Sequence, residues 1–326
     1  MRPANPSDRA EASCALALSH VVIDEIWLPG AIEASEVLGG AGVHAAVGQA
    51  LAYRGRSTAV LVSGVGHDFP ERARAAMRSS GIDDAGLVAT HSRTPRTIIR
   101  YTAAADRTER PAFGPDHFLS NDPQLWMVPQ TRESPEAIYI FAGVDEPAWE
   151  VVTSLPRVTG VLWELDAAIC NPSFADAIRN RSALVDVVSL NEQELRGLVG
   201  GSSLSHLRRA MQDLFPTVSA LTLRRGERGA VLATKETVWD SAPAEPSDVV
   251  DPTGAGNAFS GALAVAWVRT LGDCARALRE AMAAAAVTIS AYGPALPITN
   301  AVAASFDRFV AGQHVDVLTW EEAIDR

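Results

Sequence analysis

The sequence predicts an α/β protein, a three-layer αβα domain around a mostly parallel sheet with a small β-strand lid, and three observations predict it. From residue 137 onward, β-leaning runs at 138–141, 160–163, 184–189 and 219–223 alternate with helix-like runs, the pattern of strands covered by helices on both faces. Near the start, two successive units read strand, glycine turn, helix. Between Thr94 and Leu119 the pattern changes: Thr97, Ile98, Ile99 and Tyr101 favour strand, and a polar stretch with Pro111, Gly114 and Pro115 follows. That stretch reads as an excursion from the main body.

Taken in order, residues 1–14 read as a disordered tail and 15–326 as one domain, with the lid at about 25–38 and 94–119. Residues 15–27 form a β-leaning run that Ser19, His20 and Asp24 interrupt, so a buried strand with polar residues near its end is expected. Gly39, Gly40 and Gly42 lead into a helix over 44–54, where Val43, Val47, Ala50 and Leu51 recur at helical spacing. The next unit has a strand at 58–63, a turn at Gly64 to Gly66, and a helix over 70–80 that ends at Gly81. No internal repeat or low-complexity linker divides the chain.

At 326 residues, 47% hydrophobic and 21% charged, the composition is that of a folded globular protein. A formal net charge of −11 without a basic run argues against nucleic-acid binding, which depends on cations neutralising phosphates. Cys14, Cys170 and Cys274 form no CxxC pair and no even framework, which fits reduced thiols. Residues 1–13 carry Arg2, Asp8, Arg9 and Glu11 in place of a signal peptide's apolar core. No apolar run of membrane-spanning length follows, and a cytoplasmic location is expected. The alanine-rich stretch 281–289 reads as a buried helix.

The window that carries chemistry is VVDPTGAGNAFSGALAVAW, 249–267. A β-like approach ends at Asp251, Pro252 and Thr253. Gly254 and Gly256 then let backbone N–H groups converge without a Cβ in the way, and an apolar helix begins near Asn257. The arrangement is an anion seat suited to phosphate, although a tight turn can need glycine for purely steric reasons.

VVDPTGAGNAF closely resembles the C-terminal signature of the PfkB carbohydrate kinases, a ribokinase-like family whose usual form ends in GAGD. Other blocks follow in that family's order: SHVVIDEIWLPG, GGAGVHAAVGQALAYRG, GVGHDFPERARAAMRSSGI, DVVSLNEQEL and LRRGERGA. The resemblance runs from about residue 15 to 297. IIRYTAAADRTERPAF, VLWELDAAICNPS and DPTGAGNAF further resemble the fungal maintenance-of-killer-virus branch, whose members carry Asn where other relatives carry Asp.

The resemblance implies an ATP- and Mg²⁺-dependent phosphotransferase acting on a hydroxyl of a small metabolite, with no nucleic-acid or membrane partner and with room for a homodimer through the lid. It places the glycine turn Gly254, Ala255, Gly256 and Asn257 at the reacting centre. Asp24 would accept hydrogen bonds from substrate hydroxyls, and Gly39 and Gly40 would let backbone amides approach the same molecule. His44 stands where the family usually has Asn. Imidazole reaches differently and titrates near neutrality, and a helix-start His can equally be a cap or surface group.

Asn191 and Glu194 form the NxxE motif, which in the family organises Mg²⁺ and phosphate through water. The same pair suits a helix N-cap with its reciprocal partner, and both roles can hold together. Arg224, Gly226 and Gly229 mark the nucleotide-side turn, and Thr253 joins Gly254 and Gly256 against the phosphates. Arg224 or Arg225 there could meet phosphate oxygens or lie on the surface. Glu164 reads either as a carboxylate behind the site or as an exposed group.

Asn257 poses the functional question. An amide has no useful basicity at neutral pH, and general-base help is worth ~10²–10⁴ in rate. Phosphoryl transfer depends mainly on positioning and charge stabilisation, so turnover without a base at this position is feasible. The alternatives are a nucleotide- or metabolite-binding pseudokinase and a kinase-fold enzyme with base-independent chemistry. If Asn257 merely replaces a base, Asn257→Asp should raise activity.

Overall fold

A computed structural model describes residues 13–27, 30–101, 107–132, 134–156, 160–244 and 249–326. The expected tail at 1–12 and parts of the expected lid (28, 29 and 102–106) lie outside the described residues. The strands are β1 Cys14–Leu18, β2 Val22–Trp27, β3 Ser35–Gly39, β4 Thr58–Gly66, β5 Ile82–Asp83, β6 Leu87–His91, β7 Arg96–Tyr101, β8 Arg107–Pro111, β9 Ala137–Phe141, β10 Val161–Glu164, β11 Val187–Asn191, β12 Ala220–Arg224, β13 Ala230–Ala233, β14 Thr237–Ser241 and β15 Asp316–Thr319. The helices are α1 Ala41–Tyr53, α2 Glu71–Ser79, α3 Pro115–Leu119, α4 Ala148–Ser154, α5 Ala175–Ser182, α6 Glu192–Val199, α7 Leu204–Asp213, α8 Ala255–Arg269, α9 Cys274–Ile289, α10 Asn300–Gly312 and α11 Trp320–Ile324.

The main sheet runs β15-β14-β13-β12-β11-β10-β9-β1-β4-β5, with β6 also on β4. It is parallel from β12 through β5 and antiparallel at the β13–β15 end. Side-chain alternation along each strand produces the three layers. In β1, Ala15 and Ala17 join a core shared with α1, α8 and α9, whereas Cys14, Leu16 and Leu18 join one shared with α4 to α7 on the other face. In β9, Tyr139 faces the first core and Ile138 and Ile140 the second.

The expected single strand over 15–27 is two. Cys14, assigned from the sequence to the tail, is buried and opens β1. After Ser19 and His20 the chain leaves the main sheet, and β2 enters a separate four-stranded sheet ordered β3-β2-β7-β8. β2 pairs antiparallel with β3 and parallel with β7. This second sheet occupies the segments expected to form the lid and is given that label. Arg96 on β7 ties it to the body by reaching Asp68 at 3.2 Å, and it also pairs with Glu36 at 2.5 Å on the lid.

The turn expected at Gly64 to Gly66 is also different, because β4 continues through it. These glycines serve close approach: a Cβ on Gly64 would lie 2.8 Å from Asn121, and one on Gly66 2.0 Å from the Thr94 backbone nitrogen. Glycine has a similar use between helices. A Cβ on Gly48 of α1 would meet the Ala258 carbonyl oxygen of α8 at 2.1 Å, and one on Gly261 of α8 would meet the Ala45 carbonyl oxygen of α1 at 2.1 Å. The two helices therefore touch backbone to backbone.

Candidate functional site

Where the lid faces the start of α8, a cleft of about 480 Å³ opens. One wall belongs to the N-terminal half: Asp24 on β2, Gly40 and His44 around the start of α1, and Thr97 and Ile99 on β7. The other is the turn Asp251, Pro252, Thr253, Gly254 and Asn257. Residues from opposite ends of the chain thus meet in one cavity.

Asp24 is half-buried and sits over Gly39, where any Cβ would come within 2.2 Å of its Oδ2. The glycine thereby makes room for the carboxylate. Gly40 precedes α1 at φ 100, a conformation that L side chains resist, and a Cβ there would also strike the His20 carbonyl at 2.6 Å. His44 is neither a helix cap nor a surface group. It is buried, and its ring packs where a Cβ on Gly254 would be. Burial pulls its pKa down to about 4, with Asp251 opposing, so the ring is neutral at pH 7. Its Nδ1 is buried without a partner among the described residues.

The turn is built as the glycine spacing predicts. Gly254 takes the left-handed conformation at φ 76 and precedes α8, which begins at Ala255. Asp251 holds the approach by accepting from the Thr253 backbone N–H at 2.9 Å. Burial pushes the Asp251 carboxyl up, but the bonds from Thr253 and Gly293 outweigh it and hold the pKa below the usual range. The first amides of α8 lack intrahelical acceptors and carry the positive end of the helix dipole, so the turn suits an anion.

Beneath the turn lies a buried polar network that the sequence did not announce. Glu164, at the end of β10, is buried and accepts from Arg224 Nη1 at 2.5 Å, from the Tyr139 hydroxyl at 2.9 Å and from Asn257 Nδ2 at 3.2 Å. Asn257 Nδ2 also donates to the Tyr139 oxygen at 3.2 Å. Arg224 reaches Glu194 at 3.4 Å as well. Burial pulls the Arg224 pKa down, but its two carboxylate neighbours prevail and raise it. Arg224, expected beside phosphate, is therefore turned inward onto carboxylates, and Arg225 pairs with Asp240.

Asn191 and Glu194 form a complete capping box at the start of α6. Glu194 accepts from the Asn191 backbone N–H at 2.7 Å and from Asn191 Nδ2 at 2.6 Å, so both carboxylate oxygens are engaged. Burial lifts its pKa to about 7 against the pull of Arg224. This arrangement does not fit a carboxylate directly ligating a divalent cation. Among the described residues no three His, Cys, Asp or Glu side chains gather to hold one. Gly226 and Gly229 shape the turn after β12 with φ 58 and 79, and a Cβ on Gly229 would lie 2.0 Å from the Ser241 carbonyl.

The sequence reading also missed the aromatic lining of the cleft. His20 lies 4.9 Å from Phe118 and 5.7 Å from Phe141 between ring centroids, and all three line the cavity. Phe118 arrives on α3, just beyond the lid strands. Only the strand break at His20 hinted at this cluster.

A family model for the pfkB family of carbohydrate kinases matches residues 31–301. A cytidine kinase of Thermococcus kodakarensis is 25% identical over 271 residues, covering 79% of this chain and 91% of that protein. Among solved structures, a nucleoside kinase from Methanocaldococcus jannaschii superposes with a TM-score of 0.72 at 19% identity, covering 92% of this chain and 99% of that one. An aminoimidazole riboside kinase from Salmonella enterica, complexed with aminoimidazole riboside and an ATP analog, gives 0.69 at 21% identity, covering 91% and 100%. These likenesses agree with the three-layer architecture and the mostly parallel sheet, and the extent of the family match means that the chain belongs to the pfkB family of carbohydrate kinases.

Proposed function

We propose that the protein transfers the terminal phosphoryl group of ATP to a hydroxyl of a sugar- or nucleoside-class substrate held between the lid and the α8 turn. One observation carries the reading: Asp24 and His44 open into the same cleft as Gly254 and Asn257. A carboxylate that can grip hydroxyls and a turn that can seat phosphate are thus within one small molecule's reach. The aromatic lining of His20, Phe118 and Phe141 favours a substrate bearing a flat ring over a bare sugar.

In this reading Asp24 accepts from two substrate hydroxyls, and neutral His44 supplies a hydrogen bond without adding charge. The amides of the Gly254 to Gly256 turn, with Thr253 beside them, hold the transferring phosphate. The substrate oxygen attacks phosphorus, the bond to the departing ADP breaks, and the hydroxyl proton passes late to water, as a loose transition state allows. Gly226, Gly229 and Asn191 shape the nucleotide side from behind. Asn191 and Glu194, engaged in their capping box, would hold a Mg²⁺ ion through water, where it would offset phosphate charge, and the steps above use only the chain's own residues.

The amide at position 257 favours a second reading, a nucleotide- or metabolite-binding protein without turnover, in keeping with the resemblance to the maintenance-of-killer-virus branch. Labelled ATP assayed against a library of nucleosides and sugars separates the two. Phosphorylated product that disappears with Asp24→Ala supports the kinase, whereas ligand binding without product throughout supports the binder. No described helix is long and apolar enough to cross a membrane. We also expect two copies to meet through the lid sheet, which sedimentation would test.

A further inference from the structure

Asn257 does not stand alone at the reacting end of the cleft. Its side chain is held from below by Glu164, which the Arg224 guanidinium partners at 2.5 Å. An ionised carboxylate only accepts hydrogen bonds, so the edge of Asn257 that faces it must be the NH₂ edge. The Tyr139 oxygen receives the same group, because the Tyr139 proton is committed to Glu164. Nδ2 is thereby spent, and Oδ1 is left without a partner among the described residues, on a side chain that lines the cleft.

We propose that Glu164 is a positioning residue that specifies an amide at 257 and points its oxygen at the substrate hydroxyl, so that of these two contacting side chains the carboxylate is at 164. The inference rests on the kinase reading for what Oδ1 does, but the contact itself does not. A carboxylate at 257 would sit where Nδ2 now lies, against Glu164. Two like charges at that distance cannot both ionise readily, and one would hold its proton into the neutral range. Asn257→Asp alone therefore fails to deliver a base, contrary to the simplest expectation from the sequence. The arrangement can instead be transposed as a pair. With Glu164→Gln the amide moves to 164, where its NH₂ can donate to a carboxylate at 257, while Arg224 lies 2.1 Å from the Cβ position of Gly256 and stays close to both.

The test uses the full chain in four forms: wild type, Asn257→Asp, Glu164→Gln, and the double variant. Each single substitution should lower kcat on the order of tenfold or more with little change in the KM for ATP. In Asn257→Asp the pH–rate profile should also move to higher pH, and the double variant should abolish that displacement and recover kcat beyond the product of the single losses. Melting temperatures of the same four proteins, read without substrate, should show the same recovery. Independent, additive losses in melting temperature would overturn the proposal, as would a rise in kcat for Asn257→Asp alone with an unmoved pH profile. If the wild type phosphorylates nothing, the kinase reading fails, and the melting temperatures still decide whether Glu164 dictates the amide.

Discussion

The two walls of the cleft are built in opposite ways. The lid wall rests on short strands of half-exposed side chains, with Asp24 over a glycine and Arg96 holding the sheet to the body. The floor beneath α8 rests on the middle of β9 and the ends of β10 and β12, where Tyr139 and Arg224 both donate to Glu164 out of water. On the lid strands of the first wall polar groups cost little because solvent is near, whereas His44 at the start of α1 is buried. On the second, each is tolerable only while its partners stay in place. Substitutions on the lid side should therefore change what binds, whereas those in the floor should change whether the protein stands.

The contrast would be broken first at Arg224. Replacing it with Met leaves Glu164 and Glu194 buried without their cation, and the expected loss in urea unfolding is about 3–5 kcal/mol. A loss no larger than that of a surface substitution would mean that the floor is wetter than described.

Acid should then find the histidine of the opposite wall. The His44 pKa in the folded protein, about 4, lies below its ordinary value of 6.5. Between those values the unfolded chain binds the extra proton and the folded chain does not, so the His44 contribution to stability falls as pH drops from 6.5 to 4, while Glu194 and Asp122, both raised to about 7 by burial, contribute in the opposite direction. The shift corresponds to about 3 kcal/mol. His20, also lowered to about 4 by burial against the pull of Asp166, adds in the same direction. The difference in unfolding free energy between wild type and His44→Asn should fall by about 3 kcal/mol as pH drops across the window, which denaturant unfolding at a series of pH values checks.

Asp24→Ala sharpens the contrast from the lid side. Losing a charged acceptor should weaken substrate by about 1.5–3 kcal/mol while ATP binding and the melting temperature stay nearly unchanged, which calorimetry with each ligand can resolve. Equal weakening of both ligands would remove Asp24 from the substrate wall. The smallest effect is expected at the rim, where Arg228 pairs with Glu192 in the open. Arg228→Ala should leave the unfolding midpoint where it is, since exposed pairs contribute little.

The floor was also the part least legible in the sequence. The paired glycines at 254 and 256 announced the turn, where Gly254 takes a left-handed backbone, and the strand and helix periods placed β9 to β12, α1 and α8 within a few residues. Asp24, Gly39, Gly40 and His44 were recognisable from blocks in a family order, and the structure brings Asp24, Gly40 and His44 into the cleft, with Gly39 under Asp24. Tyr139 had no such signal. It sits in AIYIF, where an apolar run hides one hydroxyl, and its partners, Glu164 and Asn257, come from β10 and α8. Glu164 and Arg224 each read as ambiguous strand-end charges, because the ion pair between them exists only once β10, β11 and β12 lie side by side. The break between β1 and β2 was visible as Ser19 and His20, yet a change of sheet is a tertiary event that local alternation does not encode.

The glycine contact between α1 and α8 carries a consequence for how such a protein can diversify. Gly48 against Ala258 and Gly261 against Ala45 lock the helix that begins behind Gly40 to the helix that begins at the Gly254 turn, with no side chain between them to be exchanged. On the proposed reading, the line along which an acceptor meets a phosphoryl group is thus inherited with the backbone. The lid strands, mounted on a separate sheet, are free to drift toward new acceptors without disturbing that alignment.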